Sequence, residues 1–191
     1  HIKSIDNNHL VSTGQEGWGE GGFDYHGCDY IRNNQSHNID ICTFHLFENN
    51  QNSGYGPIEW IRQRVDRAHF IVNKPVYCGE IGVQVSRGSP DFSQQMAHRN
   101  SLYTDWYGKF SDRVIDGGGF WLLSADSYPD YDNYTVYYPG DAETCSIISN
   151  FSAKMAEQRG LSYLKPIILL EDKEVNEQEP LEFQIPVSNP S

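Results

Sequence analysis

Short apolar runs alternate with longer segments of helical periodicity over the first 160 residues. Apolar side chains recur every three or four positions in three segments, which predicts amphipathic helices over 57–72, 91–110 and 142–159. Between and before them lie short runs rich in apolar, β-branched and aromatic residues, which predict buried strands over 9–14, 39–47, 75–82 and 117–125. This alternation indicates a parallel sheet covered by helices.

The connections that follow the predicted strands are long, and they carry most of the Trp, Tyr, Asp and Asn residues. They cover residues 15–38, 48–56, 83–90 and 126–140. Polar and aromatic residues concentrated after the strands are typical of a barrel whose chemistry lies at the carboxyl ends of its strands. A closed barrel needs eight strands, so the expected fold is α/β, a (βα)8 TIM barrel of which this chain supplies about four βα units.

The composition of the sequence changes after Gly160. Residues 161–191 contain a run of acidic residues and several prolines. We therefore expect a half-barrel over 1–160 and, over 161–191, an acidic, proline-containing tail or a linker to an appended domain. A half-barrel leaves two open sheet edges and an exposed core, which favours association with another half or with itself.

Composition narrows the possible partners. The net charge of −12, from 26 acidic and 14 basic residues, argues against nucleic acid and anionic membranes as partners. No apolar run approaches the roughly 20 residues of a membrane span, and four cysteines without a CxxC pair make a zinc site unexpected. Neither a metal nor a cofactor is expected. Aromatic residues make up 13% of the chain, a proportion typical of proteins that stack flat ligands.

The stretch VYCGEIG, residues 76–82, places one carboxylate at the far end of an otherwise apolar strand. Strict alternation would put Cys78 and Glu80 on the same face, and Gly79 and Gly82 leave room around the carboxylate. A functional Glu80 would lie at the base of a cleft. The alternative is a structural Glu80 that caps a helix or pairs with an arginine.

Two further residues are expected at the height of Glu80 on the neighbouring strands. In CTFHLF, His45 stands on the same face as Thr43, and in GGFWLLS the matching position is Trp121. A single histidine in an apolar strand is often only a core residue. An acid, an imidazole and an indole at one barrel mouth, however, suit a sugar-binding cleft, because indoles stack on pyranose rings and carboxylates perform glycosidic chemistry.

Several motifs, in order and at compatible spacing, resemble the second half of a glycoside hydrolase of family 5, clan A. The motifs are IKSIDNNHLVSTG, FHLF, WIRQRVDRAHFIVNKPVYCGEIG, GGGFWLLS and YPDYDNYTVYYPGD. They cover about residues 1–155 and are most similar to those of the endo-β-1,4-mannanase branch. The resemblance implies that the four βα units are the last four of the barrel.

The resemblance also implies roles for individual residues. Glu80 corresponds to the nucleophile of a retaining mechanism, His45 to a supporting histidine on strand six, and Trp121 to a platform under the reacting sugar. Four further residues in the loops after strands five and eight are implied substrate contacts: Glu16, Trp18, Tyr128 and Asp130.

Two departures from the family pattern stand out. Phe47 occupies the position of a family tyrosine that hydrogen-bonds the nucleophile. The family's acid/base glutamate belongs to an Asn-Glu pair on strand four, and strands one to four are not in this sequence. The only Asn-Glu pair here, Asn176-Glu177, lies in the acidic tail and is interpreted as a coincidence. Retaining hydrolysis needs two carboxyl groups roughly 5–5.5 Å apart. Of the two carboxylates that the family uses, this sequence therefore contains only the counterpart of the nucleophile, Glu80.

The expected function is therefore part of a secreted retaining hydrolase that degrades β-1,4-mannan or a related plant or algal β-glycan. Its acid/base would come from a missing N-terminal half, as a separate half-barrel polypeptide or through self-association, so that this chain alone is inactive. The alternative is a non-catalytic carbohydrate-binding or structural protein derived from a degenerate glycosidase. Another clan A activity, such as a β-glucanase or a mannosidase, is also open.

Overall fold

The computed structural model of the chain describes residues 1–19, 27–48, 56–113, 115–126, 128–158 and 160. The strands are β1 (Cys42–Phe47), β2 (Val76–Gly82), β3 (Gly117–Gly118), β4 (Leu123–Ala125) and β5 (Val136–Tyr138). The helices are α1 (Ile2–Ile5), α2 (Tyr30–Asn34), α3 (Gly56–Asp66), α4 (Phe92–Arg113) and α5 (Ala142–Gln158). A six-residue π-helical stretch, Arg67–Val72, continues α3. The three predicted helices are thus confirmed.

The main sheet runs β1–β2–β3, with both pairs parallel and the strands in chain order. A parallel bridge between Ser12 and Ile41 extends the same order on the other side of β1. The predicted strand over 9–14 is therefore represented by this single bridge. Parallel neighbours in chain order, with α3 between β1 and β2 and α4 between β2 and β3, form the arrangement of consecutive βα units in a barrel.

The predicted fourth strand, 117–125, is divided into two short strands. β3 pairs with β2, whereas β4 pairs in parallel with β5 in a separate two-stranded sheet. Between them the backbone follows the edge of β2, where the Gly119 amide donates to the Cys78 carbonyl at 2.8 Å. A Cβ at Gly119 would lie 2.9 Å from the Tyr77 hydroxyl and 3.0 Å from the Gly79 carbonyl, so this close path requires a residue without a side chain.

The core lies between the sheet and the helices that cover it. Alternate residues of β1, including Phe44 and Leu46, are fully buried, as is Phe110 of α4. The Phe44 and Phe110 rings meet edge to face with centroids 6.3 Å apart. This packing buries one face of the strands and leaves the carboxyl ends of β1 and β2 as the site of polar residues.

A buried ion pair connects α4 to the segment around β5. Arg99, fully buried, donates to the Thr135 carbonyl at 3.0 Å and to Asp141 Oδ2 at 2.8 Å. Burial raises the pKa of Asp141, but hydrogen bonds from Arg87, the Tyr137 amide and Arg99 outweigh burial, so the pKa lies below its usual range. The charged pair thus fixes the start of α5 against α4.

The predicted tail, 161–191, lies outside the described residues, so the proposed division of the chain at residue 160 stays a prediction. In the part of the chain that is described, no helix has the length and apolar character of a membrane span.

Candidate active site

The carboxyl ends of β1 and β2 bring His45 and Glu80 together. The two residues are paired in the parallel ladder, and the register shifts by one residue just before them, so that Gly79 has no partner on β1. The expectation that Cys78 and Glu80 share a face is wrong for this reason. The irregularity leaves Cys78 beside Phe44 in the core and Glu80 beside His45 at the open end of the strands.

The two side chains make a direct polar contact. His45 Nδ1 lies 3.5 Å from Glu80 Oε2, within ion-pair range but beyond the usual hydrogen-bond distance, and both side chains are partly exposed. Among the described residues, the Glu80 carboxylate makes no other side-chain polar contact. The alternative of a helix-capping or arginine-paired Glu80 therefore has no support in the described part of the chain.

The backbone on either side of His45 is held by hydrogen bonds. The His45 amide donates to the Glu16 carbonyl at 3.0 Å, and the His45 carbonyl accepts from Trp60 Nε1 at 3.0 Å. Gly79 packs closely against the imidazole: a Cβ there would lie 3.2 Å from the His45 ring, so a larger residue would have to displace the ring. These contacts limit the orientations in which the imidazole can face Glu80.

The loop that precedes α2 carries Glu16 and Trp18 to the side of β1. Trp18 Nε1 donates to Glu16 Oε2 at 3.1 Å, and the Trp18 ring packs 4.6 Å from the Trp60 ring. Gly17 between them has φ +100°, and a Cβ there would lie 2.8 Å from Phe44 Cβ. Glu16 is exposed, whereas Trp18 is partly covered by Trp60, and substrate contact by either residue stays a prediction.

Trp121 is carried to the same end of β2 as Glu80. Its amide donates to the Ile81 carbonyl at 2.9 Å, one residue beyond Glu80, and the peptide bond to Leu122 is cis. The indole is 41% exposed, and its Nε1 donates to Asp132 Oδ2 at 2.8 Å. Sequence reasoning did not single out Asp132, although the acidic stretch YPDYDN contains it.

The other two predicted contacts, Tyr128 and Asp130, lie in the loop that leads from β4 to β5. Asp130 Oδ1 accepts from the Asn133 amide at 2.8 Å and from the Thr135 hydroxyl at 3.0 Å, so this carboxylate shapes the loop. Tyr128 is exposed, and its ring lies 6.2 Å from that of exposed Tyr131. A role in substrate binding for either remains a prediction.

Phe47, the residue that replaces the family tyrosine, packs against Tyr134. Their rings meet at 74° with centroids 5.2 Å apart, and the Phe47 ring also lies 6.3 Å from the His45 ring. Burial raises the pKa of Tyr134, with further contributions from Asp132 and Glu48. Tyr134 is a second residue of this region that the sequence analysis did not identify.

Within the described ranges, no group of three or more His, Cys, Asp or Glu side chains is arranged to hold a metal ion. Glu80, its neighbour His45 and the partly exposed Trp121 indole lie at this end of the strands.

Comparisons with known proteins place this geometry in context. No family model matches the chain. Mannan endo-1,4-beta-mannosidase 1 of Arabidopsis thaliana is 30% identical over 182 residues, which cover 81% of this chain and 43% of the relative. Mannan endo-1,4-beta-mannosidase A of Podospora anserina is 26% identical over 166 residues, covering 80% and 41%. The chain thus spans less than half the length of these curated relatives.

Solved structures show the same partial coverage. The endo-1,4-beta-mannanase of Rhizomucor miehei superposes with a TM-score of 0.64 at 27% identity, over 82% of this chain and 43% of that one. The endo-beta-1,4-mannanase of Thermotoga petrophila gives a TM-score of 0.60 at 26% identity, over 82% and 38%. The fold expectation is confirmed: the chain forms part of a TIM barrel.

Proposed function

This chain is a mannanase-like polypeptide of glycoside hydrolase family 5, and we propose that it carries the nucleophile of a retaining glycosidase. The substrate is β-1,4-mannan or a related β-glycan, the class named for its relatives. The observation that carries the proposal is the pairing of His45 with Glu80 at the carboxyl ends of adjacent parallel strands. That edge is where barrel enzymes place their catalytic residues.

In the proposed mechanism, a Glu80 carboxylate oxygen attacks the anomeric carbon of the bound sugar. A covalent glycosyl-enzyme forms as the glycosidic bond breaks, and a second carboxylic acid donates its proton to the departing oxygen. The same second group then takes a proton from water, and the resulting attack releases Glu80. His45 restrains the Glu80 carboxylate, and Trp121 offers an indole surface on which the sugar ring can stack.

The second carboxyl group is proposed to come from an N-terminal half-barrel. Retaining enzymes hold their two carboxyl groups roughly 5–5.5 Å apart, whereas the side-chain polar contact of Glu80 in the described part of the chain is with His45. The N-terminal half would be a separate polypeptide or a further segment, and self-association is the other way to cover the open sheet edges. We further propose that the protein acts outside the cell, where polysaccharide is met.

A second candidate function is carbohydrate binding without turnover. Phe47 favours it, because the ring that faces His45 and packs on Tyr134 carries no hydroxyl with which to support Glu80. A binding protein would retain affinity for manno-oligosaccharides through Trp121 and would form no covalent intermediate even when both halves are present.

The test is covalent labelling with a 2-deoxy-2-fluoro-mannosyl fluoride, followed by peptide mapping. The chain is incubated with a separately produced N-terminal half-barrel from a mannanase relative. We expect the label on Glu80 and none in the Glu80→Gln variant, whereas Asp112→Asn on the exposed face of α4 should label normally. Label on another residue, or turnover retained by Glu80→Gln, would remove Glu80 as the nucleophile. An assembled protein that binds mannohexaose without labelling supports the binding function instead.

The chain alone should release no sugar from mannan. Without a general acid the leaving alkoxide departs unprotonated, a loss of typically about 10²–10⁴-fold, and an incomplete cleft also loses the advantage of positioning. Reducing-sugar release that is abolished by Glu80→Gln, in a preparation shown by mass spectrometry to contain no second polypeptide, would refute the need for a separate half.

A further inference from the structure

The Trp121 indole is fixed by an acidic side chain that the proposed mechanism does not use. Asp132 Oδ2 accepts from Trp121 Nε1 at 2.8 Å, an ordinary distance for a charge-assisted hydrogen bond. The indole remains 41% exposed, so one edge is held while much of the ring faces solvent. A hydrogen bond at the ring edge favours one setting of the Trp121 side-chain torsions over the others.

Asp132 is itself anchored in the loop. Its other carboxylate oxygen, Oδ1, accepts from the Tyr134 amide at 3.0 Å, so the two oxygens bind two different partners. The Asp132 carbonyl accepts from Gln84 Nε2 at 3.2 Å, and the Asn133 carbonyl accepts from the Val85 amide at 2.7 Å. The loop is thus tied to the segment that directly follows β2, the strand of Glu80.

These contacts form a continuous connection between the strand end and the indole. Trp121 is bound to Ile81 through its backbone and to Asp132 through its side chain, while the Asp132 loop is bound to residues 84 and 85. The indole is therefore held relative to Glu80 from two directions. Stacking on a sugar depends on the angle of the ring, because the contact area is lost when the ring tilts.

We propose that Asp132 is a positioning residue that sets the orientation of the Trp121 indole and thereby the affinity of this end of the barrel for a sugar ring. The part that concerns affinity rests on the proposed function. The part that concerns the indole stands on the structure alone and has its own measurement.

The first measurement is the fluorescence of Trp121, isolated as the difference between the chain and its Trp121→Phe variant. Asp132→Ala should shift the Trp121 emission to the red and increase its quenching by acrylamide, since the ring loses its partner. When Trp121 is already Phe, Asp132→Ala should change neither the emission nor the acrylamide quenching of the remaining tryptophans. Unchanged Trp121 emission and quenching in Asp132→Ala would overturn the proposal.

A matched variant separates orientation of the indole from loosening of the loop. Thr135→Val removes the 3.0 Å hydrogen bond to Asp130 from a buried, nearly isosteric side chain and leaves the Trp121–Asp132 hydrogen bond itself in place. It should leave the Trp121 emission unchanged. An equal shift in Thr135→Val and Asp132→Ala would show that any weakening of the loop suffices, which overturns a specific role for Asp132.

The second measurement is mannohexaose binding by calorimetry in a double-mutant cycle. Asp132→Ala should weaken binding about two- to tenfold, the equivalent of one hydrogen bond. Asp132→Ala should weaken it no further when Trp121 is already Phe, because the indole N–H is absent. Additive losses would overturn action through Trp121. Failure of the unmodified chain, assembled with the N-terminal half-barrel, to bind mannohexaose counts against the proposed function, while the fluorescence result still decides the role of Asp132.

Discussion

The two regions that form the candidate site are held in place by different forces. His45 and Glu80 stand on β1 and β2, whose ladder and buried alternate residues determine where each side chain points. Trp121 and the loop that follows it have little regular structure, and side-chain hydrogen bonds to Asp130, Asp132 and Asp141 hold that region together. The strand pair therefore depends on packing, and the loop region depends on a few buried or partly buried carboxylates.

Because the two regions are stabilised differently, substitutions should affect them in different ways. The effect of changing a core residue of the strand pair is distributed over many packing contacts. A change in one carboxylate of the loop region removes several hydrogen bonds at once and leaves their donors unpaired. The two regions meet at the end of β2, where the Ile81 carbonyl accepts from both the Trp121 amide and the Tyr103 hydroxyl.

The largest expected effect is that of Asp141→Ala in the loop region. The substitution leaves the Arg99 guanidinium, which is fully buried, without its ion-pair partner. The free energy of unfolding should fall by about 3–5 kcal/mol, the usual cost of an unpaired buried charge. Urea denaturation followed by circular dichroism measures it, and Asp112→Ala on the exposed face of α4 should change it by less than about 0.5 kcal/mol. Equal effects of the two variants would contradict the proposed dependence on a buried carboxylate.

Acid should act on the same group with a smaller effect, since protonation leaves part of the hydrogen bonding in place. The pKa of Asp141 is lowered in the folded state, so its ionisation stabilises the fold above the unfolded pKa of about 3.9 and this stabilisation is lost as the pH falls below that value. The urea midpoint of the chain should therefore fall more steeply than that of Asp141→Asn as the pH is lowered below about 4. If the urea midpoints of the chain and of Asp141→Asn fall in parallel with pH, Asp141 is not the source of the acid sensitivity.

Gly82→Ala tests the contact between the two regions. A Cβ at Gly82 would lie 2.4 Å from Phe47 Cε1 of the strand pair and 2.8 Å from Tyr134 Cδ1 of the loop region. We expect a loss of about 1–3 kcal/mol in the free energy of unfolding, typical of overpacking. Adding Phe47→Leu should recover part of that loss, because the shorter side chain vacates the space. A double variant less stable than the sum of the single changes would show that the clash is elsewhere.

The smallest expected effect belongs to Tyr103→Phe behind the strand pair. The change removes a buried 3.1 Å hydrogen bond to the Ile81 carbonyl, which keeps its bond from the Trp121 amide. The free energy of unfolding should fall by about 0.5–1.5 kcal/mol, and the Trp121 fluorescence should not change. A shift in that fluorescence would show that the strand pair and the loop region are coupled more tightly than their separate contacts indicate.

The pairing of His45 with Glu80 was predictable from the sequence, whereas the loop residues packed near them were not. Apolar alternation in CTFHLF and VYCGEIG places His45 and Glu80 at matching heights on neighbouring strands, because side chains in strands repeat with a period of two. The same rule failed for Cys78, since the irregularity at Gly79 shifts the register by one residue. The loop partner Asp132 and the ring of Tyr134 lie 52 and 54 residues beyond Glu80 in the chain, and no local pattern connects them.

The sequence by itself determined the alternation of strands and helices, the positions of the three long helices and the choice of Glu80 as the residue proposed to be the nucleophile, because these follow from local periodicity and from motifs that keep their spacing. The tertiary structure alone decided that 117–125 divides into two strands, that Asp130 shapes a loop, and that Asp132 binds the Trp121 indole. Each of these depends on which backbone or side-chain donors come within about 3 Å of an acceptor after the chain has folded. That proximity is a property of the packed chain, and a linear pattern of residues does not contain it.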